Sequence, residues 1–139
     1  MTPINHRSAA VAQAASWEGC NESDGSHKQI IATYNSKTSK GKIGYGTAWC
    51  AAFVSAVAIK PDNTSVIPVD CYCPGMLNKF KSWGDRKSRS YSAKGGDVIF
   101  FDWNYNGVPD HVGMVYSRNG STGKVTTIEG NYDDSVKYR

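Results

Sequence analysis

The sequence predicts an α+β fold in which N-terminal helices pack on an antiparallel β-sheet. Three observations point to it. Alanine-rich segments with helical spacing fill the first half of the chain. Short apolar segments separated by turn formers fill the second. Helices come first and strands follow, without the alternation of βαβ units. The length, 139 residues, is that of one domain (1–139) and buries enough surface to fold without staples.

Residues 9–17 carry Val11, Ala14, Ala15 and Trp17 at helical spacing, which predicts a first helix. Asp24-Gly25-Ser26 offers a turn and a cap for a second helix holding Gln29, Ile30, Ile31, Thr33 and Tyr34. Residues 35–46 are Ser, Thr, Lys and Gly and read as an exposed loop. Residues 49–59, with Ala51, Ala52, Val54, Ala56, Val57 and Ala58, predict a buried helix ended by Lys60-Pro61-Asp62-Asn63. Pro74 suits a helix start, with Met76, Leu77, Phe80 and Trp83 at steps of three and four and Gly84 near the end. Strands are predicted at residues 97–101, 111–116 and 124–129, joined by the turn formers of 102–110 and 119–123, with a fourth opening at Val136.

Hydrophobic residues are 40% and charged residues 20% of the chain, the balance of a globular protein and not of a disordered one. The longest nearly apolar run, residues 48–59, is too short to span a bilayer, so membrane insertion is not expected. Residues 1–19 have no apolar core of a secretory signal. The net charge of +4 comes from dispersed lysines and arginines (Lys37, Lys40, Lys42, Lys79, Lys81, Arg86, Lys87, Arg89). It fits a solvated surface or attraction to a polyanion such as a phosphate-bearing cell wall. No recognition motif accompanies it, so nucleic acid is not expected as a partner. Four cysteines (Cys20, Cys50, Cys71, Cys73) do not make a disulfide scaffold in a chain of this size without a signal. With neither a CxxC nor an HxxxH pair, structural zinc is not expected, and no metal or other cofactor is implied.

One constellation carries chemistry. Cys50 opens a helix after a glycine-containing loop, where free amides and the helix dipole favour the thiolate. His111 begins an apolar strand, an unusual place for an imidazole; His6 and His27, in polar surroundings, read as solvent-exposed. If the strands from His111 and Lys124 pair through the turn at 119–123, His111 faces position 131 and Glu129 faces Gly113. Residues two apart share a face, so His111, Glu129 and Asn131 point to one side. A carboxylate or amide there can hold the imidazole's tautomer and orientation.

Ala48-Trp49-Cys50-Ala51-Ala52-Phe53-Val54, Gly96-Asp97-Val98-Ile99-Phe100-Phe101-Asp102, Pro109-Asp110-His111-Val112-Gly113 and Ile128-Glu129-Gly130-Asn131 occur in that order. Together they resemble the CHAP domain, the cysteine, histidine-dependent amidohydrolases/peptidases of the NlpC/P60, papain-like superfamily. The resemblance is closest to catalytic domains of Gram-positive phage and prophage endolysins. It covers residues 29–139, leaving 1–28 as an N-terminal helical extension. It implies a papain-like fold and cleavage of amide bonds in peptidoglycan, as endopeptidase or N-acetylmuramoyl-L-alanine amidase. Cys50 maps on the nucleophile, His111 on the base, Glu129 on the third polar residue and Asn131 on an orienting amide. Tyr45, in the loop before the cysteine, is a candidate for the oxyanion, and Asp102, Trp103 and Tyr105 for the substrate groove. Some members bind calcium through a DxDxY-type loop before the nucleophile, but residues 40–49 hold no Asp or Glu, which argues against calcium here. A family member often continues into a wall-binding domain. The resemblance further implies residence in the host cytoplasm until release onto the wall. Two rival classes are a non-catalytic wall-binding module, indifferent to loss of Cys50, and a redox thiol protein using Cys71 and Cys73.

Overall fold

The computed structural model describes residues 3–38, 42–88 and 90–139; of residues 3–5 it describes the backbone only. The loop expected at 35–46 is therefore described in part, and Lys40 and Arg89 lie outside it. The elements are α1 (Pro3–Ser16), α2 (Lys28–Asn35), α3 (Cys50–Ile59), α4 (Cys73–Ser82), β1 (Val98–Phe101), β2 (His111–Arg118), β3 (Val125–Tyr132) and β4 (Ser135–Tyr138). The strands form one antiparallel meander in the order β1-β2-β3-β4. No described helix is long and apolar enough to cross a membrane.

Helix α3 is the centre of the molecule. It packs against α1 and α2 on one side and against β2 and β3 on the other, so Ala51 through Ile59 are all buried. This explains its composition: a helix apolar on every face has no solvent side to supply, and alanines at 51, 52, 56 and 58 let its neighbours approach closely. Phe53, wholly buried, lies near Trp17 of the α1 end (ring centroids 6.4 Å apart). Ala10, Ala14, Ile30, Ile31 and Tyr34 complete the helical half of the core, and Val112, Met114, Ile128 and Val136 the sheet half.

The helix starts depart from the expected ones. α1 begins at Pro3, well before residue 9. At α2 the position before the first turn is His27, without a side-chain cap. Asp24 instead closes the preceding turn, where its Oδ1 accepts from the backbone N–H (2.8 Å) and hydroxyl of Ser26. His27 is buried, its Nε2–H donating to the Tyr45 carbonyl (3.0 Å) and its ring 5.6 Å from that of Trp49. The exposed reading of His27 fails because segment 20–27 folds over Trp49, whose indole N–H donates to Glu22 (3.0 Å).

Pro74 does sit in the first turn of α4, and Gly84 follows its end at φ +75°. Phe80 then carries α4 onto β1, 6.0 Å from Phe100. The β2–β3 pairing joins Met114 to Ile128 and Val115 to Thr127, the expected register, with a bulge between Val115 and Ser117. A two-residue turn, Asp133-Asp134, has both residues at positive φ (50° and 63°) and returns the chain into β4.

Candidate functional site

Two glycines let the sheet deliver its polar groups. A Cβ on Gly130 would lie 2.4 Å from Cβ of Phe53, so α3 crosses β3 where a side chain is missing. A Cβ on Gly113 would lie 2.5 Å from Cγ of Glu129. The bare backbone at 113 leaves the Glu129 side chain room to reach diagonally across β2 to His111.

It does so. His111 Nε2–H donates to Glu129 Oε1 at 2.9 Å, with Glu129 fully buried and His111 nearly so. This bond fixes the tautomer and leaves Nδ1 for the thiol. Arg139 donates from Nε to Oε2 (2.9 Å) and from Nη2 to Oε1 (3.0 Å) of Glu129, and the Thr127 hydroxyl donates to Oε2. Each carboxylate oxygen thus accepts two hydrogen bonds. Burial alone would push the Glu129 carboxyl up, but the bonds from His111, Arg139 and Thr127 hold it down at about 2. The guanidinium itself lies over the Tyr132 ring, 4.2 Å from its centroid.

Cys50 is the first residue of α3. The Phe53 N–H donates to Trp49 O (2.9 Å), which leaves the amides of 50–52 without partners inside the helix. Cys50 Sγ lies 3.3 Å from Cys73 Sγ, at the first turn of α4. The thiol is held well below its ordinary range, first by the Cys73 hydrogen bond, against burial, and then by the hydrogen bond and charge of His111. Burial opposes charge on His111, but its bonds to Cys50 and Glu129 outweigh that and raise it to about 9. Cys73, beside an ionised Cys50 and buried, is pushed up and stays a neutral thiol. The resting arrangement is therefore a thiolate–imidazolium pair backed by a carboxylate–guanidinium pair.

The aromatic wall comes from loop 102–110. Trp103 stacks on His111 (centroids 5.5 Å apart, planes at 16°) and on Phe101, and remains 55% exposed. Tyr105 is exposed at the loop tip with φ +56°. The Asp102 carboxylate accepts from the amides of Asn106 (3.2 Å) and Gly107 (2.8 Å) and shapes the loop. Asn131 follows Glu129 on β3 at φ +59°. That left-handed residue breaks the pleat's alternation, and among the described residues no hydrogen bond joins its amide to His111. Tyr45 is half-exposed, its ring against His27 and 5.3 Å from the Lys28 ammonium. No described contact joins Tyr45 to Cys50 or His111. Among the described residues no group of three or more His, Cys, Asp or Glu is arranged to hold a metal ion.

The family model for the CHAP domain matches residues 42–131, well over half of the chain. The chain belongs to the CHAP family. Searches of curated proteins and of solved structures each returned no significant match. Four helices on a four-stranded antiparallel sheet agree with the papain-like CHAP architecture. The family is one of peptidoglycan hydrolase-type amidases and peptidases. The CHAP match starts after α2, yet α1 and α2 pack directly on α3.

Sequence reasoning missed three members of this CHAP site: Cys73, Thr127 and Arg139. Thr127 carried a readable signal, since it lies two residues before Glu129 on the same strand face. Arg139 could have been sought as the cation that a buried strand carboxylate demands. Cys73 gave none, because its neighbour in space is 23 residues away in sequence.

Proposed function

We propose that this protein hydrolyses an amide bond of bacterial peptidoglycan by Cys-His nucleophilic catalysis, as an endopeptidase or an N-acetylmuramoyl-L-alanine amidase. The observation that carries the reading is the buried His111–Glu129 hydrogen bond of 2.9 Å at the start of β2, with His111 electrostatically coupled to the Cys50 thiol at the head of the buried α3.

The Cys50 thiolate attacks the carbonyl carbon of the scissile amide, and the carbonyl electron pair moves to oxygen. The Cys50 amide, unpaired within α3, is the candidate donor to that oxyanion. Collapse of the intermediate breaks the C–N bond, and the imidazolium passes its Nδ1 proton to the departing nitrogen. A thioester on Cys50 remains. His111, now neutral, takes a proton from a water that attacks the thioester, and the thiolate leaves. Glu129 holds the ring through Nε2–H and stabilises its charged form; Arg139 and Thr127 hold Glu129. Asn131 is a further candidate for orienting the site, and Tyr45 for the oxyanion side. The exposed stack of Trp103 on His111, with Tyr105 beyond it, offers an aromatic edge against which a stem peptide or sugar can lie. In this reading the protein acts on the wall after release from a phage or prophage host, and the dispersed positive charge favours a phosphate-bearing wall.

Lysis of purified peptidoglycan by the wild type and by Cys50→Ala tests the reading. Loss of lysis by several orders of magnitude is expected. Lysis surviving Cys50→Ala would refute it, and wall binding without any lysis by the wild type would favour a non-catalytic module. Mass spectrometry of the fragments then identifies the bond, because each cut leaves a different new terminus.

A further inference from the structure

We propose that Cys50 and Cys73 form a reversible oxidation site, in which a hydroperoxide converts the two thiols into an intramolecular disulfide that closes the active site. The two sulfurs are 3.3 Å apart. A disulfide requires about 2 Å, so closing it takes a movement of little more than 1 Å.

The approach is built into the fold. α3 and α4 begin with these two cysteines, and the two helix starts meet. Ser55, buried on α3, clamps the backbone just ahead of α4: its hydroxyl donates to the Asp70 carbonyl (2.7 Å) and accepts from the Asp70 amide (2.9 Å). Asp70 in turn accepts from the Tyr72 amide (2.9 Å) and pairs with Lys79 of α4 (3.2 Å). Neighbouring Gly75 has no room for a Cβ, which would meet Asp70 Oδ2 at 2.5 Å. The other cysteines are directed elsewhere: Cys71 is hydrogen-bonded with Tyr34, and Cys20 is reached by Gln29.

The chemistry balances. The Cys50 thiolate attacks one peroxide oxygen, the O–O bond breaks, and Cys50 becomes a sulfenic acid as hydroxide leaves. The sulfur of Cys73 then displaces the sulfenic oxygen. The S–S bond forms, the Cys73 proton goes to the departing hydroxide, and water is released. In sum two thiols are oxidised and one hydroperoxide is reduced. The product has no nucleophile at position 50. Because Cys73 is buried (7% exposed) while Cys50 is less so, the oxidant meets Cys50 first. Cys73 then captures the sulfenic acid before it reaches the irreversible sulfinic stage.

The proposal uses the same site as the proposed hydrolase, but its readout is mass and not lysis, so the two can fail separately. The intact chain is treated with hydrogen peroxide, residual thiols are blocked with iodoacetamide, and the protein is mapped by non-reducing peptide mass spectrometry. The expected result is a loss of about 2 Da and a Cys50–Cys73 cross-linked peptide, both reversed by dithiothreitol. Cys71→Ser removes ambiguity within the peptide that carries both residues and should cross-link as the wild type does. Cys73→Ala should instead accumulate sulfinic acid on Cys50 that dithiothreitol does not reverse. A bond from Cys50 to Cys71 or Cys20, or sulfinic acid on Cys50 of the wild type with Cys73 still alkylatable, overturns the proposal.

Discussion

Replacing Glu129 with Gln tests whether the buried carboxylate acts through His111. The substitution keeps the shape and one acceptor for His111 Nε2–H at the 2.9 Å contact, but removes the negative charge. It also leaves the Arg139 guanidinium, until then bonded twice to that carboxylate, beside the imidazole without its counter-ion. His111 stands at about 9 against an ordinary 6.5, sustained against burial by Cys50 and Glu129 together. If Glu129 supplies half or more of that support, its loss lowers the imidazolium midpoint by roughly 1–2 pH units, or about 1.4–2.7 kcal/mol. The thiolate loses stabilisation with its partner, so its own midpoint rises. The assay is the rate of iodoacetamide alkylation of Cys50 from pH 4 to 10, followed by peptide mass so that Cys20, Cys71 and Cys73 do not contribute. The wild type should alkylate rapidly even in mildly acid buffer. In Glu129→Gln the acid limb should move up and the imidazolium limb down, narrowing the plateau. A variant that loses activity while both limbs stay within about 0.3 pH units of the wild type would show that Glu129 does not work through the imidazole.

Three further outcomes follow from the same geometry. Gly113→Ala places a Cβ on Glu129 Cγ and should cost far more activity than stability. Gly130→Ala, against the rigid Phe53, should destabilise by about 1–3 kcal/mol; urea unfolding beside a lysis assay separates the two. Arg139→Ala leaves Glu129 buried without a cation and should destabilise by about 1–3 kcal/mol, reduced from the fully buried case because Arg139 is partly exposed; Arg139→Lys should restore stability better than it restores the pH profile, since a lysine cannot reproduce the two-pronged contact. Thermal melts across pH should show opposite contributions from the two groups. The part due to Glu129, lowered from 4.5 to about 2, is complete above 4.5 and lost as pH falls toward 2. The part due to His111, raised from 6.5 to about 9, is complete below 6.5 and lost as pH rises through 9. The difference between wild type and Glu129→Gln should therefore be largest between pH 4.5 and 6.5, and a difference that grows toward pH 10 would contradict this.

The elements were legible in the sequence wherever a single local pattern decided them. Alanine density marked α3, Pro74 and the spacing through Phe80 marked α4, and the turn at 119–123 set the β2–β3 register that brings Glu129 to the face of His111. Legibility ended where a residue's role depended on an element distant in the chain. His27 looks polar in its own neighbourhood and is buried because Glu22 and Trp49 draw that segment inward. That Asp102 also holds its loop together, through the amides of Asn106 and Gly107, is not visible in the turn-former pattern. Cys73 looks like half of a CxC pair, while its partner is Cys50 on another helix. The two-residue alternation that would put Glu129 and Asn131 on one face is interrupted for a backbone reason: at φ +59° residue 131 no longer follows the pleat.

The enclosure of α3 divides the molecule into parts that tolerate change very differently. A helix with every side walled in cannot tilt or slide to suit a new ligand, so the atom at its head is a fixed origin. Tyr45, Trp103 and Tyr105 lie outside that helix, on loops, and are exposed. Adaptation to walls of different chemistry therefore has its room in those loops, and a library aimed at altered cutting preference should randomise 102–108 while leaving 50–59 untouched.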